Sequence, residues 1–129
     1  MYLNADLATA RANARAKFRG LPYGPEDLDP ASAPVLVDVE LPDGEAWDLR
    51  SDAGLTAVGL PSTYPLGASG DEIGWNVCQP IGFEAWQADS DGVACRSAAD
   101  GGREELAWFV RGRLATASAS RSFDEWYWT

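Results

Sequence analysis

The sequence predicts an α+β fold in a single domain spanning residues 1–129. Two helix signals are separated by several short strand-like runs and do not alternate with them, which argues against a regular βαβ series. The length suits one domain, and neither an internal repeat nor a linker divides it. The chain is 46% hydrophobic with six Trp, enough apolar matter for a core, which argues against disorder despite 13 Gly and 8 Pro.

The elements follow in order. Met1 to Leu3 is a short apolar start. Asp6 caps a helix through about Phe18, because Ala, Leu and Arg fill the segment and nothing breaks it. Leu7, Ala10, Ala14 and Phe18 give that helix a weak apolar stripe, while Arg11, Arg15 and Arg19 share a face that reads as solvated. Gly20 to Pro34 is a loop punctuated by Pro, Gly and acids. Val35 to Leu41, VLVDVEL, reads as a strand with one wet face. Pro42-Asp43-Gly44 turns the chain, and Trp47 and Leu49 mark a short extended piece. Ser51 caps a small helix through Val58, and Gly59 to Gly74 is again a loop.

From Trp75 a second helix of about three turns carries Trp75, Cys78, Ile81, Phe83, Ala85 and Trp86 on a broad apolar face. Pro80 is placed in about its first turn, where a missing N–H costs little. The chain turns at Asp91-Gly92, and Gly92 to Ser97 is a strand. A second strand runs from Glu105 to Arg111, and Ser122 to Trp128, SFDEWYW, reads as a last strand with aromatics on both parities.

Charge and composition narrow the chemistry. Twenty acids against ten bases leave a formal net charge of −10, which repels phosphate backbones and disfavours nucleic acid. There is no histidine, so neither a Ser-His-Asp nor a Cys-His site can be built, and two cysteines cannot complete a structural zinc site. Cys78 and Cys95 lie among apolar residues, which favours buried free thiols over a disulfide. No apolar run is long enough for a membrane span. The N-terminus lacks the apolar centre of a signal peptide, and a cytoplasmic protein is the expectation.

Three stretches carry a resemblance. MYLNADLATARANA resembles a tyrosine-bearing strand, polar turn and helix. CQPIGFEAW resembles a Cys-Gln-x-x-Gly helix, here with Trp75 before it. DGVACRSAA resembles a strand that ends on a serine. Their order and spacing are similar to those of the RES domain, a family that includes the toxins of bacterial toxin–antitoxin systems. The resemblance implies an ADP-ribosyltransferase-like core that takes NAD as substrate, with no separate cofactor and no metal. The activity implied is NAD glycohydrolase or phosphorylase cleavage of the nicotinamide–ribose bond, or ADP-ribosyl transfer. The implied partner is a helix-turn-helix antitoxin, with a homo-oligomer left open and no direct contact to nucleic acid or membrane.

Carried over residue by residue, Tyr2 matches the pocket tyrosine and Ser97 the family serine. Asn13 stands at the position of the family glutamate. Two departures weaken the chemistry. Asparagine has no charge to set against an oxocarbenium ion. The family's Gly-Gly-Arg-like segment would come before the tyrosine strand, so the chain reads as an N-terminally truncated or degenerate member. Arg96 is the candidate substitute for that arginine, although it and Ser97 alternate to opposite faces of a strand. Glu84 and Glu104 are the acids nearest the motif residues.

Structural explanations stand beside each of these. Tyr2 can begin a buried strand, Asn13 can be an ordinary helix-surface amide, and Ser97 can hydrogen-bond a turn. Trp75, Trp86 and Trp108 read as core, and Tyr64 reads first as a residue of the Pro/Gly loop, with a pocket lid as the lesser alternative. A catalytically inactive RES-like domain and an unrelated small α+β binding module remain the alternatives to an active enzyme.

Overall fold

Asp6 decides where the first helix begins. In the computed structural model, which describes residues 1–111 and 114–128, its carboxylate accepts from the Thr9 backbone N–H at 2.7 Å and caps α1, Leu7–Ala16. The preceding residues form β1, Tyr2–Asn4. A 3-10 turn at Pro25–Asp27 follows, then β2, Leu36–Glu40, and β3, Ala46–Leu49. Ser51 caps α2, Asp52–Ala57, by accepting from the Gly54 N–H at 3.1 Å. After a loop come α3, Trp75–Gln87, then β4, Gly92–Arg96, β5, Glu104–Trp108, β6, Thr116–Arg121, and α4, Phe123–Trp126.

The main sheet has the order β1-β5-β4-β3. β5 runs antiparallel to both neighbours, whereas β3 and β4 are parallel. Parallel neighbours need a crossover, and here α2, the 59–74 loop and α3 supply it. The α+β reading therefore holds, with one βαβ-like unit embedded in it. β2 and β6 make a separate two-stranded antiparallel ribbon, bulged between Asp38 and Val39.

Two clusters form the core. Leu49, Leu55, Leu60, Ala85 and Val93 fill the space between the main sheet and its crossover. Ala10 and Ala14 of α1 pack on Phe123, Trp126 and Tyr127.

That second cluster corrects the expectation of a final strand. Ser122 and Glu125 stand three apart, and the Glu125 carboxylate accepts from both the N–H and the Oγ of Ser122 at 2.7 Å. This is the reciprocal cap of a helix start. A helical turn gathers Phe123, Trp126 and Tyr127 against α1; a strand would divide them between two faces. The Arg11 guanidinium then reaches the Trp126 carbonyl at 2.8 Å, so the arginine face of α1 is not solvated throughout. Two further differences follow. Pro80 is the sixth residue of α3, past its first turn. Thr116–Arg121, Ala/Ser-rich and silent in hydrophobic pattern, is a strand because β2 offers it a ladder.

Candidate functional site

Strand register assembles the candidate site. Tyr2 lies opposite Ala107, Asn4 opposite Glu105, Glu105 opposite Cys95, and Cys95 opposite Leu49. Directly paired residues share a sheet face, so these side chains form one surface beneath α3. Between them is a cavity of about 700 Å³. Its wall is mainly apolar and aromatic, including Tyr64, Trp75, Phe83 and Phe109, with Cys78, Cys95 and Glu105 among its other lining residues.

α1 meets one end of this surface. The Asn13 amide donates to Asn4 Oδ1 at 2.6 Å and to the Glu105 carboxylate. Its oxygen accepts from Ser97 Oγ at 3.1 Å. Two candidate residues 84 positions apart in the chain are thus in direct contact. Ser97 is fully buried, and its Oγ also accepts from the N–H groups of Ala99, at 3.1 Å, and Asp100, at 3.4 Å. Ser97 therefore ties the turn after β4 and orients Asn13 with the same hydroxyl.

The other candidates fall differently. Tyr2 does not begin a buried strand: it is 87% exposed, on the cavity face of β1. The Arg96 guanidinium donates to the carbonyls of Arg50 at 3.0 Å, Ser62 at 2.6 Å and Tyr64 at 3.1 Å, and to the Asp52 carboxylate at 3.3 Å. It contributes to the cavity wall while its polar head is committed to backbone. Trp108 is buried as core, whereas Trp75 is 73% exposed at the cavity. Both cysteines are free and half-buried.

Glu105 is the residue that sequence reasoning missed. Glu104, one position earlier, faces the other side of the sheet and pairs with Arg50 at 3.1 Å. The available signal was parity: Glu105 alternates with Ala107 and Phe109, both lining the cavity, so an acid occupied an inward position.

Burial dominates the electrostatics. It pushes the Cys95 thiol up to about 11, with Glu105 and then Cys78 adding to the effect. Burial likewise raises the Tyr64 phenol, reinforced by Cys78, Cys95 and Glu105. At neutral pH the cavity therefore presents a protonated phenol and a protonated Cys95 thiol, neither of which is a ready nucleophile, beside the carboxyl group of Glu105. Among the described residues no group of three or more His, Cys, Asp or Glu side chains is placed to hold a metal ion, and no helix is long and apolar enough to cross a membrane.

Comparison with protein-family models, curated proteins and solved structures returns no match. What the fold and cavity define is thus a class by geometry alone: an α+β domain with an aromatic cavity and one carboxylate at its polar end.

Proposed function

We propose that the cavity takes the nicotinamide–ribose portion of NAD and that the chain is a RES-like protein of a toxin–antitoxin system. The observation that carries this reading is that Glu105 lines the aromatic cavity and is held by Asn13, which also bonds Ser97; Asn13 and Ser97 are not themselves among the lining residues. A flat cationic ring suits aromatic walls. In the reaction, the electrons of the bond between ribose C1′ and the ring nitrogen leave with nicotinamide. The oxocarbenium ion so formed takes up water, which then loses a proton. Glu105 is the group able to oppose that positive charge, the role the resemblance assigned to the position of Asn13.

Binding is weak and turnover slow on this reading, because Arg96 spends its guanidinium on backbone carbonyls and cannot clamp a pyrophosphate. With it go a bacterial cytoplasmic setting and a helix-turn-helix antitoxin that covers the cavity mouth. The saturated Asn13–Ser97 network favours one second reading, a domain that binds NAD or its antitoxin without chemistry.

Calorimetry with NAD and an assay of nicotinamide release separate the two. An active wild type should lose about 10²–10³ of its rate in Glu105→Gln. Binding without release leaves the second reading. No heat of binding at millimolar NAD overturns both NAD readings.

A further inference from the structure

We propose that Tyr64 discriminates between ligands in the cavity by donating a hydrogen bond to an acceptor oxygen on the bound ring, and that Arg96 is the positioning residue that aims it. The proposal rests on the cavity being a ligand site, and it extends that reading to the class of ligand: a flat ring bearing a carbonyl.

Tyr64 sits in the loop between α2 and α3, and its side chain lines the cavity. Its hydroxyl oxygen accepts from the Cys78 thiol at 4.0 Å. That contact is long and occupies a lone pair of the phenol oxygen, so the phenol O–H keeps its donating capacity for another acceptor. Because burial holds the phenol protonated, it is a donor at every physiological pH. A half-buried donor of this kind is met by solvent, and a ligand oxygen can displace that water and take the bond.

The loop is closed on itself by short turns and packs Leu60, Tyr64 and Ile73 on the core. Tyr64 N–H reaches Pro61 O at 3.0 Å, Leu66 N–H reaches Thr63 O at 3.0 Å, Thr63 Oγ1 donates to Leu66 O at 2.8 Å, Ile73 N–H reaches Pro65 O at 2.9 Å and Gly67 N–H reaches Asp71 O at 2.7 Å, beside the bridge between Leu66 and Glu72. Arg96 ties it to the sheet. Its guanidinium joins the end of β3, through the Arg50 carbonyl, to the Ser62 and Tyr64 carbonyls of the loop. The ion pair to Asp52 matters less, since that carboxylate is 77% exposed and screened by water. Beside the loop's own turns and the packing of Tyr64 on the core, the fork of N–H donors onto three carbonyls is the polar tie from the Tyr64 segment to the sheet. A lysine ammonium cannot reproduce that fork.

Two readouts test the two halves. The first is the rate at which Cys78 and Cys95, both lining the cavity, react with a soluble aromatic disulfide reagent. Arg96→Gln should raise it by about ten- to a hundredfold, the equivalent of one charge-assisted hydrogen bond lost. Arg96→Lys should fall between Arg96→Gln and wild type, and Tyr64→Phe should change the rate less than about twofold. Equal rates in wild type and both Arg96 variants would overturn the positioning role, as would a rise that tracks global unfolding in urea.

The second readout is calorimetric affinity for NAD and for its thiocarboxamide analogue, whose sulfur accepts poorly. Tyr64→Phe should weaken NAD about two- to tenfold, the value of a neutral hydrogen bond, and leave the analogue nearly unchanged. An unchanged preference for NAD overturns the donor role. If wild type binds neither compound, the NAD reading and the Tyr64 role fall together, while thiol reactivity still decides the role of Arg96.

Discussion

Replacing Ser97 with Ala removes one oxygen from a site with no access to water. Ser97 is 0% exposed, and its Oγ serves three partners: Asn13 Oδ1 at 3.1 Å, Ala99 N–H at 3.1 Å and Asp100 N–H at 3.4 Å. Alanine keeps the Cβ and leaves all three groups short of a bond. The 3.4 Å contact is the weakest and counts least. A buried polar group left without a partner costs about 1–3 kcal/mol. Asn13 is half-buried and recovers part of its loss from solvent. The space vacated by a hydroxyl is also too small for a replacement water.

Together these give a loss of about 2–4 kcal/mol, a large share of the ~5–15 kcal/mol of a typical domain. Urea unfolding followed by tryptophan fluorescence reads it as a lower midpoint at constant slope. Asn13→Ala should cost about 1–2 kcal/mol. The double variant should lose at least ~0.5 kcal/mol less than the sum, because the two share one bond. A Ser97→Ala loss below about 0.5 kcal/mol, or strict additivity with Asn13→Ala, would refute the network.

Two glycines should respond in opposite directions. A Cβ on Gly54 would lie 1.8 Å from the Asp48 carbonyl oxygen, so Gly54→Ala should force α2 off β3 and cost about 3 kcal/mol. A Cβ on Gly82 meets nothing within 4 Å, so Gly82→Ala inside α3 should stabilise by about 0.5–1 kcal/mol; thermal unfolding checks both. Cys95 sets an alkaline limit. Its folded value, about 11, is above the ordinary value near 9, so the stability it contributes is complete below pH 9 and is lost as pH rises through 11. Alkylation of Cys95 in the folded chain should accelerate about tenfold per pH unit toward that value, and Cys95→Ala should flatten the alkaline fall in stability. A rate already at its plateau by pH 9 would contradict the burial.

Local rules were legible wherever one residue settles a boundary. Asp6 and Ser51 each start a helix because a side-chain oxygen meets an orphan N–H three residues on, and that chemistry depends only on neighbours in the chain. The same rule was available at Ser122 and Glu125, but the aromatic run outweighed it. The helix there is secured by packing on Ala10 and Ala14 more than a hundred residues away. β6 was invisible because Ala and Ser carry no period-two pattern; only the ladder to β2 makes it a strand.

The site divides in the same way. Asn13, Ser97 and Tyr2 were picked out by the resemblance, and the contact between Asn13 and Ser97 appears only in the fold. Which acid joins them was not legible. Glu104 and Glu105 are neighbours of the same type, and only the register of β5 between β1 and β4 sends one to Arg50 and the other to Asn13. Nor could Arg96 be assigned from sequence, since a guanidinium takes a phosphate or three carbonyls equally well and the fold of the 59–74 loop decides which is within reach. The sequence by itself determined the caps, the half-polar strands and the absence of imidazole chemistry, because each depends on residue type and short-range spacing. Tertiary structure alone decided the cavity and its carboxylate, because those depend on which faces of distant strands are brought together.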